Sequence, residues 1–197
     1  MFKIVCVTDR KSCCEDFLTR IEKIADAKPD IIMFRDKESS DEDYVETAFK
    51  ILKISKKYGI PCIMYRHPEI FGGIHMTMPT LRTTSQQDMQ CQEIIGASVH
   101  SAAEAMEAEQ WGVDYLIAGH IFETSCKPGL APRGTEFLHE VCKSVSIPVY
   151  AIGGITPGNV EQVARAGASG ACIMSGLMTC GDPAEYILSL RKGAEII

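Results

Sequence analysis

The stretch PVYAIGGITPGNVEQVARAGASGACIMSG, which spans residues 148–176, contains one complete unit of the predicted fold. An apolar run of strand length at 148–152 precedes a glycine pair, an amphipathic segment at 156–166 and a second apolar run at 170–174. Both runs are apolar throughout, which is typical of parallel strands that are covered on both faces. Gly167 stands where a helix commonly ends in a left-handed residue. The stretch therefore predicts a strand, a helix and a parallel strand joined by a right-handed crossover.

The same alternation of strand and helix recurs along the whole chain. Apolar runs of strand length occur at residues 4–7, 31–34, 62–65, 73–76, 94–97, 115–118, 148–152 and 170–174. Between most of them lie amphipathic stretches with helix-start signals, at residues 15–27, 44–58, 105–111, 136–144, 156–166 and 183–193. We therefore expect an α/β protein whose strands are parallel.

Two arrangements of such units are open at this stage, a TIM (β/α)8 barrel and an open doubly wound sheet. Eight strand-length runs favour the barrel, although 197 residues is short for one. The weak part of the pattern is the segment 66–92, which has room for only a short helix at 67–71 before a predicted loop at 77–84. The prediction is a compact TIM (β/α)8 barrel with a shortened third β/α unit, in a single domain over residues 1–197.

Composition excludes several other classes of protein. Hydrophobic residues make up 46% and charged residues 23% of the chain, which excludes disordered and disulfide-scaffold proteins. The 20 Lys and Arg residues are scattered through a chain of net charge −6, so we expect no nucleic-acid partner. No apolar run approaches the roughly 18 residues of a membrane span, so we expect a cytoplasmic protein without a membrane partner. The nine cysteines include no C-x-x-C pair, and we interpret them as core residues in a reducing compartment, except for the adjacent Cys13 and Cys14, which we expect to be exposed.

Polar residues follow most of the predicted strands. In a β/α barrel the carboxyl ends of the strands, with the loops after them, form the functional face. The polar tips are residues 8–10, 35–37, 65–67, 98–100, 119–120, 153–154 and 175–176. His75 and His100 also end apolar runs, and we expect both to be packed or hydrogen-bonded at the rim.

The loops after the seventh and eighth strands carry the pairs Gly153-Gly154 and Ser175-Gly176. Loops at these positions commonly bind phosphate, since glycine lets backbone N–H groups approach the oxygens. Each pair alone is also compatible with a tight turn and nothing more. Their occurrence at both positions predicts a site for a phosphate monoester.

Four charged or titratable residues are candidates for chemistry at the same face. His120 ends the sixth run, and an imidazole exchanges a proton near neutral pH, so it is the first candidate for general acid-base catalysis. Arg35 and Lys37 flank Asp36, and alternate side chains share a face, so both cations are expected to point into the mouth and hold an anion. Lys127 lies in a loop that can close over a ligand. The alternatives are a structurally satisfied histidine and solvated surface cations.

Several short segments carry a resemblance to a known family: residues 7–9 (VTD), 34–37 (FRDK), 73–75 (GIH), 96–100 (GASVH), 114–115 (DY), 119–124 (GHIFET), 151–155 (AIGGI) and 175–176 (SG). Over essentially the whole chain they resemble the thiamine phosphate synthase superfamily. The resemblance implies a barrel that binds a small-molecule thiazole phosphate through the two glycine-bearing loops. It also implies substrate contacts from Arg35, Lys37, Ser98 and Lys127.

The two branches of this superfamily differ in their metal site. In the synthase branch, an Asn-Asp pair after the third strand and an Asp after a Gly-Val-His segment hold magnesium and pyrophosphate. The chain instead has Tyr-Arg-His at 65–67 and Thr-Met-Pro-Thr at 77–80. Because magnesium usually takes at least one carboxylate ligand, we expect no metal site, and no other cofactor is implied.

Segment 119–130 (GHIFETSCKPGL) resembles the thiazole tautomerase (TenI) branch, and so does Ser98 with its neighbours. That branch implies an isomerase of thiamine biosynthesis, in which His120 moves a proton to aromatise a carboxythiazole phosphate tautomer. Two alternatives stay open. One is a magnesium-dependent thiamine phosphate synthase with a metal site rebuilt from Asp9 or Asp36, and the other is a non-catalytic regulatory protein that binds thiazole phosphate. The oligomeric state is also open, a homo-oligomer included.

Overall fold

The computed structural model describes residues 1–67, 70 and 73–195. Within them, eight parallel strands form a closed barrel in chain order. The strands are β1 (Lys3–Val7), β2 (Ile31–Phe34), β3 (Cys62–Met64), β4 (Gly73–Thr77), β5 (Ile94–Val99), β6 (Tyr115–Gly119), β7 (Val149–Ile152) and β8 (Gly170–Ile173). β1 also pairs with β8, where Val5 lies beside Cys172, and this pairing closes the barrel. The predicted TIM (β/α)8 barrel is confirmed, and the open sheet is excluded.

Helices connect the strands and pack against the outside of the barrel. The described helices are α1 (Phe17–Asp26), α2 (Asp41–Tyr58), α3 (Met78–Thr83), α4 (Gln86–Gln90), α5 (Ala102–Gln110), α6 (Gly134–Ser144), α7 (Val160–Arg165), α8 (Ser175–Thr179) and α9 (Pro183–Ala194). The hydroxyl of Ser101 accepts a hydrogen bond of 3.0 Å from the Glu104 N–H and caps α5, as the sequence spacing predicts. α2 is followed by the C-cap residue Gly59, which has a φ of +70°. Glycine adopts this left-handed conformation without the steric strain that a side chain would cause.

The alternation of side chains along the strands divides the core into two parts. One part fills the inside of the barrel and contains Val5, Val7, Met33, Ile63, Tyr115, Ile117, Tyr150 and Cys172. The other part lies between the barrel and the helices, and from the first two strands it includes Ile4, Cys6, Ile32 and Phe34. Since both faces of these strands are buried, their sequences are apolar at consecutive positions.

The predicted loop at 77–84 is wrong, because most of this segment forms α3. Thr77 caps the helix by accepting a hydrogen bond of 3.4 Å from the Thr80 N–H, and Pro79 lies in the first turn, where proline is tolerated. Met78 and Leu81, three residues apart, are both buried, so one packed face stabilises the helix. The predicted helix at 67–71 falls largely outside the described residues.

Two predictions from composition can be compared with the structure. Among the described residues, no helix is long and apolar enough to cross a membrane. All nine cysteines are free, and Cys6 and Cys172 are buried. Cys91 and Cys126 are exposed, so the interpretation of the cysteines as core residues is wrong for these two. Burial raises the pKa of the Cys62 thiol to about 12, so this thiol is uncharged and weakly reactive at neutral pH.

Candidate active site

A cavity of about 540 Å³ opens at the carboxyl ends of the strands, on the face where a β/α barrel carries its functional residues. All nine residues predicted for the site line it: His120, Arg35, Lys37, Ser98, Lys127, Gly153, Gly154, Ser175 and Gly176. The ends of β2, β5, β6, β7 and β8 bring these residues together from distant parts of the sequence. Their location is thus known, while their roles stay predictions.

Three cations converge in the cavity. Arg35 and Lys37 follow β2, and Lys127 follows β6. The positive charge of Arg35, followed by partial burial and by the charge of Lys127, lowers the pKa of Lys37 below its ordinary value. In the described part of the chain, none of these three side chains forms a salt bridge with a carboxylate. The cavity therefore has an excess of positive charge suited to a polyanion.

The backbone at the end of β2 directs the two cations to the same side. Thr8 is fully buried, accepts a hydrogen bond of 3.0 Å from the Arg35 N–H and donates one of 3.2 Å to the Arg35 carbonyl. The Asp36 side chain points elsewhere, because its Oδ2 lies 3.1 Å from the Nε atom of Arg10. Arg35 and Lys37 line this cavity while Asp36 does not, although all three residues line a neighbouring cleft of about 460 Å³.

The glycine pair after β7 adopts a backbone conformation that other residues rarely take. Gly153 has a φ of +102° and Gly154 a φ of +65°. The Gly153 carbonyl accepts a hydrogen bond of 3.0 Å from the Phe122 N–H, and the Gly154 carbonyl accepts one of 2.9 Å from the Asn159 side-chain amide. In a trans peptide the next N–H points opposite to the carbonyl. The N–H groups of Gly154 and Ile155 therefore point away from Phe122 and Asn159.

His120 is packed into the floor of the cavity. His120 is only 6% exposed. A Cβ atom added to Gly153 would lie 2.3 Å from the Cβ atom of His120, so the two backbones are in close contact. The Nε2 atom of His120 lies 3.3 Å from the Leu130 carbonyl oxygen. Because a carbonyl only accepts, this contact places a proton on Nε2. The imidazole thus connects the floor to the segment that carries Lys127.

The carboxylates near the cavity do not fit a resident magnesium ion. Among the described residues that line the cavity, Asp9 is the one carboxylate, and it accepts a hydrogen bond from the Ser12 hydroxyl. Asp36 is bound by Arg10. The described residues contain no group of three or more His, Cys, Asp or Glu side chains that could hold a metal. A site rebuilt from Asp9 and Asp36 is therefore not supported, and we derive no step through a metal.

A buried polar chain that was not predicted from the sequence reaches the cavity at Ser98. His75 is buried, as expected, with its Nε2 atom 2.8 Å from the Ser98 hydroxyl and its Nδ1 atom 3.1 Å from the Tyr115 hydroxyl. Burial lowers the pKa of His75 to about 3, so its ring is neutral at physiological pH. Only the register of β4, β5 and β6 brings these three residues together, and no local sequence signal reveals it.

The closed barrel, the glycine-bearing loops and the three cations are together typical of β/α-barrel proteins that bind small phosphorylated molecules. Comparison with known proteins narrows this class to one family. The family described as "Thiamine monophosphate synthase" matches residues 4–177. The chain belongs to this family.

Individual relatives agree with the family assignment. The chain is 39% identical to a thiamine-phosphate synthase of Halalkalibacterium halodurans over 160 residues, which cover 78% of this chain and 76% of that protein. It is 35% identical to a thiamine-phosphate synthase of Clostridium acetobutylicum over 187 residues, 90% and 88% of the two chains. The structure of a thiamine phosphate pyrophosphorylase from Pyrococcus furiosus has a TM-score of 0.83, 27% sequence identity, and coverage of 98% and 96%.

These relatives contradict the predicted thiazole tautomerase. All three are named as synthases or pyrophosphorylases. The tautomerase prediction is therefore wrong, its isomerase class is not supported, and the synthase alternative is better supported. The prediction gave too much weight to His120 within segment 119–130 and to the missing carboxylates at 65–67 and 77–80.

We expect Arg35→Gln to raise the pKa of Lys37, because the charge of Arg35 is the largest cause of its depression. Lys127→Met should raise it less, since Lys127 contributes less to the depression. The measurement is an NMR titration of the lysine side-chain nitrogens. Arg165→Gln, which removes an exposed cation on α7, is the matched control and should leave the value unchanged. An unchanged Lys37 pKa in Arg35→Gln would show that the cations do not converge.

Proposed function

We propose that this protein is a thiamine-phosphate synthase, which couples a thiazole phosphate with a pyrimidine pyrophosphate. The bond between the pyrimidine's methylene carbon and the diphosphate oxygen breaks, and the thiazole nitrogen forms a new bond to that carbon. Diphosphate leaves with the electron pair of the broken bond. The observation that supports the proposal is one cavity lined both by the glycine-bearing loops after β7 and β8 and by Arg35, Lys37 and Lys127.

The first group would hold the phosphate of the thiazole. It consists of the loops after β7 and β8, with Gly153, Gly154, Ser175 and Gly176 in the cavity wall. The geometry of the β7 loop supports this role, because its carbonyl groups are occupied elsewhere and its N–H groups point away from those partners. Backbone N–H groups bind a phosphate without placing a further mobile charge in the site.

The second group would hold the diphosphate of the pyrimidine. Arg35, Lys37 and Lys127 supply three positive charges, and their own repulsion is relieved when an anion binds. As the carbon–oxygen bond breaks, negative charge grows on the departing diphosphate. Cations already fixed around that position stabilise the transition state more than the ground state, which is the requirement for catalysis.

His120 would act through the loop above it in this reaction. Its contact with the Leu130 carbonyl holds the segment between residues 124 and 130, and Lys127 lies in that segment. The general acid-base role was predicted for His120 from its position at the barrel mouth. The coupling reaction does not use it, and we assign His120 this positioning role instead. The cavity volume of about 540 Å³ lies within the range usual for small-molecule sites, so it suits substrates of this size.

Thiamine phosphate and diphosphate should form in equal amounts when the protein is mixed with thiazole phosphate, pyrimidine pyrophosphate and magnesium chloride. We expect Lys37→Met and Lys127→Met each to lower kcat/KM by about 100-fold, because each removes a charge that stabilises the leaving group. Chromatography of both products checks this. Lys143→Met is the control, since Lys143 is exposed in the last turn of α6 and absent from the cavity wall.

Two outcomes would overturn the proposal. Folded wild-type protein that binds thiazole phosphate but forms no product would favour the regulatory protein. Product formation that is equally fast in both lysine variants would show that these cations do not hold the diphosphate.

Gly154→Ala should raise KM for thiazole phosphate by about tenfold or more, with little change in KM for the pyrimidine substrate. A Cβ on this residue would lie 2.3 Å from the Glu123 carbonyl oxygen, and its φ is positive, so the loop must move. Gly158→Ala is the matched control, because its nearest neighbour would be 3.7 Å away. Steady-state kinetics with each substrate varied in turn provide the test, and equal effects on both KM values would contradict the assignment of this loop to the thiazole phosphate.

A further inference from the structure

A chain of polar side chains crosses the inside of the barrel and ends at the cavity wall. It consists of Tyr115 on β6, His75 on β4 and Ser98 on β5. The chain depends on Gly96, because a Cβ at this position would lie 2.0 Å from the Tyr115 ring. Without a side chain there, the Tyr115 ring passes over β5 and its hydroxyl reaches His75 at 3.1 Å.

The histidine at the centre of this chain is neutral and bonded on both sides. It is 2% exposed, and burial strongly favours the uncharged ring. A neutral imidazole has one N–H donor and one nitrogen acceptor. Two arrangements are therefore available, with the proton on Nδ1 or on Nε2.

The Tyr115 hydroxyl decides between them. Among the described residues, its hydrogen-bond partner is His75 Nδ1, and the tyrosine is 4% exposed. With the proton on Nδ1, the buried hydroxyl would accept a bond and have no acceptor for its own proton, which is costly. With the proton on Nε2, Tyr115 donates to Nδ1 and both groups are satisfied. The Nε2–H group then donates to the Ser98 hydroxyl at 2.8 Å.

The tautomer of His75 determines how the hydroxyl of Ser98, which lines the cavity, forms its hydrogen bonds. The Ser98 oxygen accepts from His75, so its own proton is available for another acceptor. Tyr65 also lines the cavity, and its ring packs against the His75 ring with the centroids 5.0 Å apart.

We propose that His75 is a positioning residue that, together with Tyr115, fixes Ser98 as a hydrogen-bond donor to the substrate. The cavity therefore selects a ligand with a lone-pair acceptor at this point, such as an unprotonated ring nitrogen of a heterocycle. The identity of the ligand rests on the proposed function, but the direction of the hydrogen bonds does not.

The first test uses nitrogen NMR of ¹⁵N-histidine-labelled protein, with the His75 signals assigned by their loss in His75→Gln. We expect the proton on Nε2, an acceptor at Nδ1, and no titration near neutral pH. Tyr115→Phe retains the ring and removes the hydroxyl, so it should produce a mixture of the two tautomers. A proton on Nδ1 in the wild type, or an unchanged tautomer in Tyr115→Phe, would overturn the proposal whether or not the enzyme is active.

The second test is kinetic and uses side chains that replace one ring nitrogen at a time. His75→Gln keeps a polar group near the position of Nε2, so its KM should stay within about threefold of the wild-type value. His75→Asn keeps a polar group near the position of Nδ1 and loses the hydrogen bond to the Ser98 hydroxyl. We expect His75→Asn and Ser98→Ala each to raise the KM of one substrate by about tenfold with little change in kcat. The double variant His75→Asn/Ser98→Ala should have a KM no higher than that of either single variant.

The control for general damage is the thermal unfolding midpoint of each variant. Equal KM effects from His75→Gln and His75→Asn, or additive effects in the double variant, would mean that His75 acts only as packing. Absence of product in the wild type would overturn the proposed function and leave the NMR result to decide the positioning role.

Discussion

The pairing of β1 with β8 is the contact on which the rest of the molecule depends, because it keeps all eight carboxyl ends on one rim. Lys3 lies opposite Gly170 in this seam. A Cβ on residue 170 would lie 2.2 Å from the Lys3 carbonyl oxygen, so glycine is needed for the two strands to approach. Closure then surrounds one cavity with loops that are far apart in sequence.

The three cations in that cavity repel one another when no anion is bound, and this repulsion lowers the stability of the folded protein. Arg35, Lys37 and Lys127 are close enough to lower the pKa of Lys37, and the described carboxylates do not neutralise them. The buried Thr8 clamp on Arg35 and the contact between Arg10 and Asp36 hold the backbone in place against this repulsion. A site whose stability is lower without its ligand is the usual consequence of preorganised charge.

Much of this arrangement could be predicted from the sequence, because the strand-length apolar runs and the polar residues after them are local signals. The positions of His120, Arg35 and Gly154 around the mouth follow from strand order alone. α3 could not be predicted in the same way, since Pro79 and its threonine neighbours suggest a loop and only tertiary packing buries Met78 and Leu81. The link from Tyr115 through His75 depends on strand register, which no local pattern reveals.

The error about activity has a different origin. The motif around His120 was taken to define the reaction, whereas the histidine is buried beneath a loop, with its Nε2 atom directed to the Leu130 carbonyl. The cations around the cavity would support departure of a diphosphate without chemistry from this ring. A residue type at a barrel mouth therefore identifies a site more reliably than it identifies a reaction.

The central claim is that one cavity binds two anions at separate places. The most direct measurement is a calorimetric titration of thiazole phosphate into protein saturated with inorganic diphosphate. Our account predicts that thiazole phosphate still binds and that the diphosphate stays bound. An apparent Kd for thiazole phosphate that rises in proportion to the diphosphate concentration would show a single shared anion site and contradict the account.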